Sequence, residues 1–345
     1  MADLNDITIE TYTESDNDEA LDLERKCIQG SSYQMWFKRA AFHRRAENLP
    51  DWEILTARLS GKLVGLVSTA IKEVTLNGKN HKAAFFFDLR VHPDVRGFGV
   101  GKLLSQEAIK RVTPHVSFAY TYCIADTSIA DYMTKVSGAQ RYGGYAYLVY
   151  PVYRHKRTTL PLQKVDFEEV HRYMLSVSPP FDFYAYPDCR PDKGGYEASW
   201  MIRSGNEVAG CSAWNNREIL AEVIESVPGS IQLAEKVSKT WPFRLLPWPA
   251  FPEAGNELRS WYLFDFFVTT PRLARELMRH IARQAIQHGI DYCYIPHYPH
   301  ENWVKAIRAD VPRLFSPRIN YHLMIKSLDT EIPELNRIYV DIRDI

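Results

Sequence analysis

Long apolar runs are missing from the 345 residues: none approaches the roughly 18 consecutive apolar positions that a membrane-spanning helix needs. The first thirty residues are acidic and lack the basic and apolar regions of a signal peptide, so a soluble, cytoplasmic protein is expected. An excess of either charge is missing too. Lysine plus arginine and aspartate plus glutamate each number 42, so no net field favours nucleic acid or an anionic membrane, and neither is expected as a partner. Cysteine is scarce: Cys27, Cys123, Cys189, Cys211 and Cys293 lie far apart, without the paired spacing of a zinc knuckle or a redox site. They read as buried reduced thiols, and no metal is expected.

What the chain does hold is apolar material. With 46% hydrophobic and 24% charged residues it is too apolar to stay disordered, and its length makes two domains the default. Period-two alternation marks strands at Ile7 to Thr13, Trp52 to Arg58, Lys62 to Glu73, Phe118 to Ile124 and Tyr142 to Tyr150. Ala83 to Val91 is apolar throughout, as a central strand would be. Helical spacing predicts helices over Asp16 to Gln29, Tyr33 to Glu47, Gly101 to Val112 and Ser128 to Ser137. Pro151 to Pro161 is basic and bounded by proline, a linker by composition. Beyond it the pattern restarts, with helices at Val165 to Val177, Pro271 to His288 and Glu301 to Ala309. The accompanying strands are Ser199 to Ile202, Glu207 to Trp214, Trp261 to Val268, Tyr292 to Pro296 and Asn320 to Ile325.

The restart contains a weak repeat. Phe87-Asp88-Leu89-Arg90-Val91 returns as Phe264-Asp265-Phe266-Phe267-Val268, and Tyr120-Thr121-Tyr122 as Tyr292-Cys293-Tyr294. The second interval is five residues shorter, and the shortfall falls where the first copy carries glycines. The second copy therefore reads as a scaffold without its loop.

That loop is the informative segment. Arg96-Gly97-Phe98-Gly99-Val100-Gly101-Lys102 joins a buried strand to an amphipathic helix. Glycines let the backbone turn tightly and gather N–H groups into one concavity, and the helix adds its unpaired first-turn N–H groups, so the segment suits a pyrophosphate. Leu103 follows Gly101-Lys102, which excludes the phosphate loop that requires serine or threonine there. Arg96-x-x-Gly99-x-Gly101 after a strand ending Leu-Arg-Val-His-Pro resembles the acetyl-coenzyme A loop of the GNAT acetyltransferases. Residues Thr121 to Lys156 and the ending Tyr339 to Ile345 are similar to the plant Hookless proteins of that superfamily.

The resemblance implies a mixed-sheet α/β (α+β) fold with two GNAT-like domains in tandem. The first is a coenzyme-binding domain over 1–155, and the second is a degenerate one over 162–345 that lacks the pyrophosphate loop. It implies acetyl-coenzyme A as cosubstrate, held by Arg96, Gly97, Phe98, Gly99, Val100, Gly101 and Lys102 around the pyrophosphate. Leu89 and Val91 would lie along the pantetheine, and Asp126 would be a further cofactor contact. In many GNAT enzymes a tyrosine protonates the leaving thiolate. Counted back from Gly138 that position is Met133, and Tyr132 beside it is rotated by about 100°.

For the proton acceptor the candidate is Asp88, an acid inside an apolar strand, with a structural ion pair as its other reading. His297, His300 and Glu301 lack a ligand signature and read as a solvated loop; Trp241, Trp248, Phe251 and Trp261 read as packing. The expected function is acetyl transfer to a primary amine of a small molecule or amino acid. A noncatalytic acyl-coenzyme A sensor and a histone acetyltransferase are the other readings, though the chain has no basic nuclear-localisation run.

Overall fold

A computed structural model of the protein describes residues 6–30, 33–125, 127–153, 158–178, 180–185, 194–246, 248–298, 301–311 and 313–344. The first half runs β1 (Ile7–Thr11), α1 (Asn17–Lys26), β2 (Gln34–Lys38), β3 (Trp52–Leu59), β4 (Lys62–Leu76), β5 (Lys79–Val91), α2 (Val100–Val112), β6 (Phe118–Ile124), α3 (Ile129–Ser137) and β7 (Gln140–Pro151). The second half runs β8 (Gln163–Val165), α4 (Phe167–Val177), β9 (Phe181–Asp182), β10 (Tyr196–Ser204), β11 (Glu207–Trp214), β12 (Ala221–Ser226), α5 (Gly229–Ser238), β13 (Ser260–Val268), α6 (Pro271–Gln287), β14 (Tyr292–His297), α7 (Trp303–Arg308), β15 (Arg318–Ser327) and β16 (Arg337–Ile338).

Twelve strands form one sheet in the order β1-β3-β4-β5-β6-β15-β7-β14-β13-β11-β10-β8. Both flanks are antiparallel hairpins, and each has one parallel step, β5 with β6 and β13 with β14. The middle is an exchange. The late strand β15 lies against β6 of the first half, while β7 lies against β14 of the second, and β7 and β15 pair with each other. A division at the linker thus separates the chain into halves but does not divide the sheet.

Alternation along β5 fixes its two faces. Ala84 and Phe86 join Val100, Leu104 and Ala108 of α2 on one side, and Phe85 and Phe87 join Ala20 and Leu23 of α1 on the other. In the second half Leu273, Leu277 and Ile281 of α6 pack with Ile202, Ala209 and Cys293, while Val170 and Met174 of α4 cover the opposite face with Met201 and Phe267.

The helix expected over Tyr33 to Glu47 is absent. Its first part is β2, followed by two single 3-10 turns at Phe42–Arg44 and Ala46–Asn48. The reason is tertiary: β2 pairs antiparallel with β12 of the second half, a partner that local spacing cannot announce. The aromatic stretch also divides. Trp261 is fully buried and Trp248 and Phe251 pack against Phe315, but Trp241 is 72% exposed. Four cysteines are buried free thiols, and Cys189 lies outside the described residues.

Candidate functional site

The glycine segment forms a tight connection from β5 into α2. Gly97 and Gly99 take φ of +86° and +89°, a left-handed backbone that side chains with a β-carbon adopt at a cost, and Gly99 is the N-cap of α2. The first bond inside the helix runs from the Leu103 N–H to the Gly99 carbonyl at 3.0 Å. The N–H groups of Val100, Gly101 and Lys102 are thereby left without an intrahelical acceptor at the positive end of the helix dipole. Arg96 is exposed, and its Nε donates to the Val91 carbonyl at 3.2 Å, which folds the side chain back over the turn. Phe98 stands 49% exposed at the rim. This is a cradle for an anion bearing several oxygens.

The cradle opens on a gap in the sheet. β5 and β6 pair only through Ala83 with Phe118, Ala84 with Ala119 and Phe85 with Tyr120; beyond that they diverge. The cause is a β-bulge. Asp88 and Leu89 together face Val67 of β4, and Asp88 takes φ of +50°, which bends the strand away from β6. Past the bulge the His92 N–H bonds to Val64 of β4 at 2.9 Å, so by strand alternation the backbone groups of Val91 and Leu89 point into the gap. An extended amide-bearing chain can pair there as an added strand.

The second half repeats the bulge without the glycine loop. Asp265 and Phe266 bulge opposite Cys211 with φ of +48° at Asp265, and β13 and β14 part after three residue pairs. The Phe266 ring, however, packs at 4.8 Å from that of Trp303, the first residue of α7, and His297 meets the same indole edge-on at 6.4 Å. His300 lies outside the described residues, and no group of metal-ligating side chains occurs among the described ones.

Asp88 is at the bulge, with little freedom to accept a proton. Arg39 and Arg45 each contact its carboxylate at 2.8 Å and Arg90 at 3.4 Å; Glu24 of α1 holds Arg39 and Arg90 in turn. Burial alone would raise the Asp88 carboxyl, but the three guanidinium groups outweigh it and hold it well below the usual carboxylate range. The reading of Asp88 as a base gives way to that of an ion-paired keystone of the bulge.

The structure also corrects the helix register of α3. Met133, not Tyr132, turns away from the loop: it lines a cavity of about 20 Å³ with Met324, Ala139 and Thr121. The Tyr132 hydroxyl lies over the first turn of α2, so close that a β-carbon built on Gly101 would sit 2.8 Å from it. A glycine count fixes distance along a helix but not the direction its faces point once it is docked. Burial raises the Tyr132 pKa. Asp126 lies outside the described residues.

Sequence reasoning missed the group beside the apex of the gap. The Asp344 carboxylate is buried against β4 and β6, accepting from Lys72 and, at 3.0 Å, from the Tyr120 hydroxyl. Its backbone carbonyl accepts from Arg45 at 2.9 Å, the same arginine that grips Asp88. Burial and the neighbouring Asp341 push the Asp344 carboxyl up, with Lys72 opposing; Asp341, clamped by Arg343 and Lys72, is held well down despite its burial. Only the sequence similarity at the end of the chain hinted at this segment.

A loop of N–H groups without intrahelical acceptors stands before a helix, beside a strand bent at a bulge to open a gap. Residues 8–132 match the family model described as an acetyltransferase (GNAT) domain. Over those residues the chain is similar to GNAT acetyltransferase domains. Among solved structures, two of Saccharomyces cerevisiae N-myristoyltransferase with bound myristoyl-CoA are similar to the whole chain. One has a TM-score of 0.58 and 13% identity over 99% of this chain and 84% of that one; the other has 0.59 and 12% over 99% and 90%. A GCN5-related N-acetyltransferase from Anabaena variabilis gives a TM-score of 0.50 and 10% identity over 93% of this chain and 73% of that one. At these identities the likeness shows the shared fold. The GNAT match ends within α3, yet the strand completing that half of the sheet is β15. A comparison with curated protein sequences gives no match.

Proposed function

We propose that the protein is an N-acetyltransferase that moves the acetyl group of acetyl-coenzyme A onto a primary amine of a small molecule or amino acid. The observation carrying this reading is the open gap between β5 and β6, headed by the glycine cradle. The main-chain N–H groups from Arg96 to Lys102 would hold the pyrophosphate, and the backbone edge at Leu89 and Val91 would pair with the pantetheine. The thioester supplies an acetyl group already activated for attack.

An alkylamine has a pKa near 10 and must lose a proton before it attacks. Asp344, raised by burial and hydrogen-bonded to Tyr120 beside the apex of the gap, is the better acceptor for that proton; Asp88 keeps the bulge in place. The Tyr132 hydroxyl, over the cradle, is the donor for the departing thiolate. A screen of primary amines monitored by coenzyme A release tests the reading. Release that depends on amine supports it; acetyl-coenzyme A binding with no release by any amine would favour a sensor.

A further inference from the structure

Among the described residues, buried carboxylates have partners suited to a charge. Asp16, Glu24, Asp88, Glu276, Asp341 and Asp344 each contact an arginine or lysine. Asp265 meets His171, and Asp182 accepts from the backbone N–H groups of Asn77 and Asn336. Glu222, on β12, is different: its carboxylate is bonded to two phenols, the Tyr262 and Tyr294 hydroxyls, the latter at 3.5 Å. Among the described residues no cation pairs with it, and burial pushes its carboxyl up against the pull of those two hydrogen bonds.

The two phenols belong to a row of packed tyrosine rings. Tyr262 and Tyr294 stack at 4.6 Å between centroids, and Tyr147 stands edge-on to Tyr262 at 5.7 Å and to Tyr321 at 6.1 Å. The tyrosine row continues through Tyr145, stacked on Tyr321 at 5.2 Å, to Tyr122 on β6 beside the gap. The Tyr122 hydroxyl is buried and without a hydrogen-bond partner. Directly across the β2·β12 pair from Glu222 is Phe37, whose ring lies 5.8 Å from the guanidinium of Arg90, a partner of Asp88. The two-stranded strap therefore holds Glu222 over the tyrosine row that leads to the gap.

A buried carboxylate that accepts only from phenol hydroxyls and has no cation beside it among the described residues is the chemistry that recognises an ammonium group. We propose that Glu222 with Tyr262 and Tyr294 is a subsite for a non-reacting cationic group of the acceptor, so that the favoured acceptors carry two amines. This rests on the acetyltransfer reading for the word acceptor, but the cation site itself does not need it. The reacting amine lies toward Tyr122 and the gap, and the second amine, still protonated, anchors at Glu222.

Binding of a series of α,ω-diaminoalkanes and the matching monoamines to the full-length protein, measured by calorimetry without acetyl-coenzyme A, tests this directly. At least one diamine should bind about tenfold or more tightly than its monoamine, and Glu222→Gln should abolish that difference. Tyr262→Phe keeps the ring, removes a competing hydroxyl, and should preserve the diamine preference. Equal binding of diamines and monoamines by the wild-type protein overturns the proposal, as does an undiminished preference in folded Glu222→Gln or a lost one in Tyr262→Phe. In turnover, Glu222→Gln should raise KM for the diamine and leave KM for acetyl-coenzyme A unchanged. Failure to bind acetyl-coenzyme A would strike the acetyltransfer reading alone, since the calorimetry is done without it.

Discussion

Asp88 adopts a left-handed backbone and carries three guanidinium groups on one carboxylate, so its replacement has consequences for both shape and charge. Asp88→Asn should cost about 3 to 5 kcal/mol, because buried guanidinium groups lose their counter-ion. A melting temperature lower by several degrees, with turnover per folded molecule near normal, is the expected result; full stability with lost turnover would return Asp88 to the chemistry. The pH dependence has a definite sign. A carboxyl held below its unfolded value contributes stability that is complete above roughly pH 4 and lost as pH falls through the folded pKa. Wild type should therefore lose more stability than Asp88→Asn on acidification.

Tyr132 gives a separate test at the same scale. Its hydroxyl is over the cradle, so Tyr132→Phe should lower turnover by about 10², the lower end for a lost acid–base group, and remove the limb of the pH profile due to that phenol. Unchanged turnover would leave the thiolate to depart through water. Asp88 could be singled out from the sequence because an acid within an apolar strand is conspicuous. Its meaning could not, because Arg39, Arg45 and Arg90 converge on it only once the chain is folded.

At the level of elements, the same bulge has two outcomes. β5 opens onto a cradle, while past the bulge of β13 the Phe266 ring packs on Trp303 of α7. Calorimetry should find one acetyl-coenzyme A per chain, abolished by Gly99→Asp in a folded protein because a carboxylate would stand where the pyrophosphate belongs. Two bound molecules would show that the second half binds the cofactor without a glycine loop. The cradle was legible in advance because every residue that makes it is contiguous and its glycines have a local steric reason. The β2·β12 strap was not legible. Its helical spacing is real, yet a strand partner nearly two hundred positions away decides its conformation.

For the molecule as a whole, pairing between distant segments was the hidden part. Strand and helix alternation indicated a mixed sheet and a pattern that restarts after the linker, because each signal spans a few residues. Nothing within Tyr142 to Tyr150 or Asn320 to Ile325 says that β7 will serve the second half and β15 the first.

That crossing at the centre of the sheet also bears on how the protein is made. While a ribosome is still synthesising the second half, the first has no β15, and β6 presents an unsatisfied edge on the side where β15 later docks. Neither half can reach its final form alone, so folding should be a single late event, with exposed strand edges before it that invite aggregation. Segments 1–155 and 162–345 expressed separately should be insoluble or unfolded, and coexpression should yield a soluble complex in which each supplies the other's missing strand. A stable, monomeric 1–155 fragment with wild-type-like cooperative melting would contradict this interdependence.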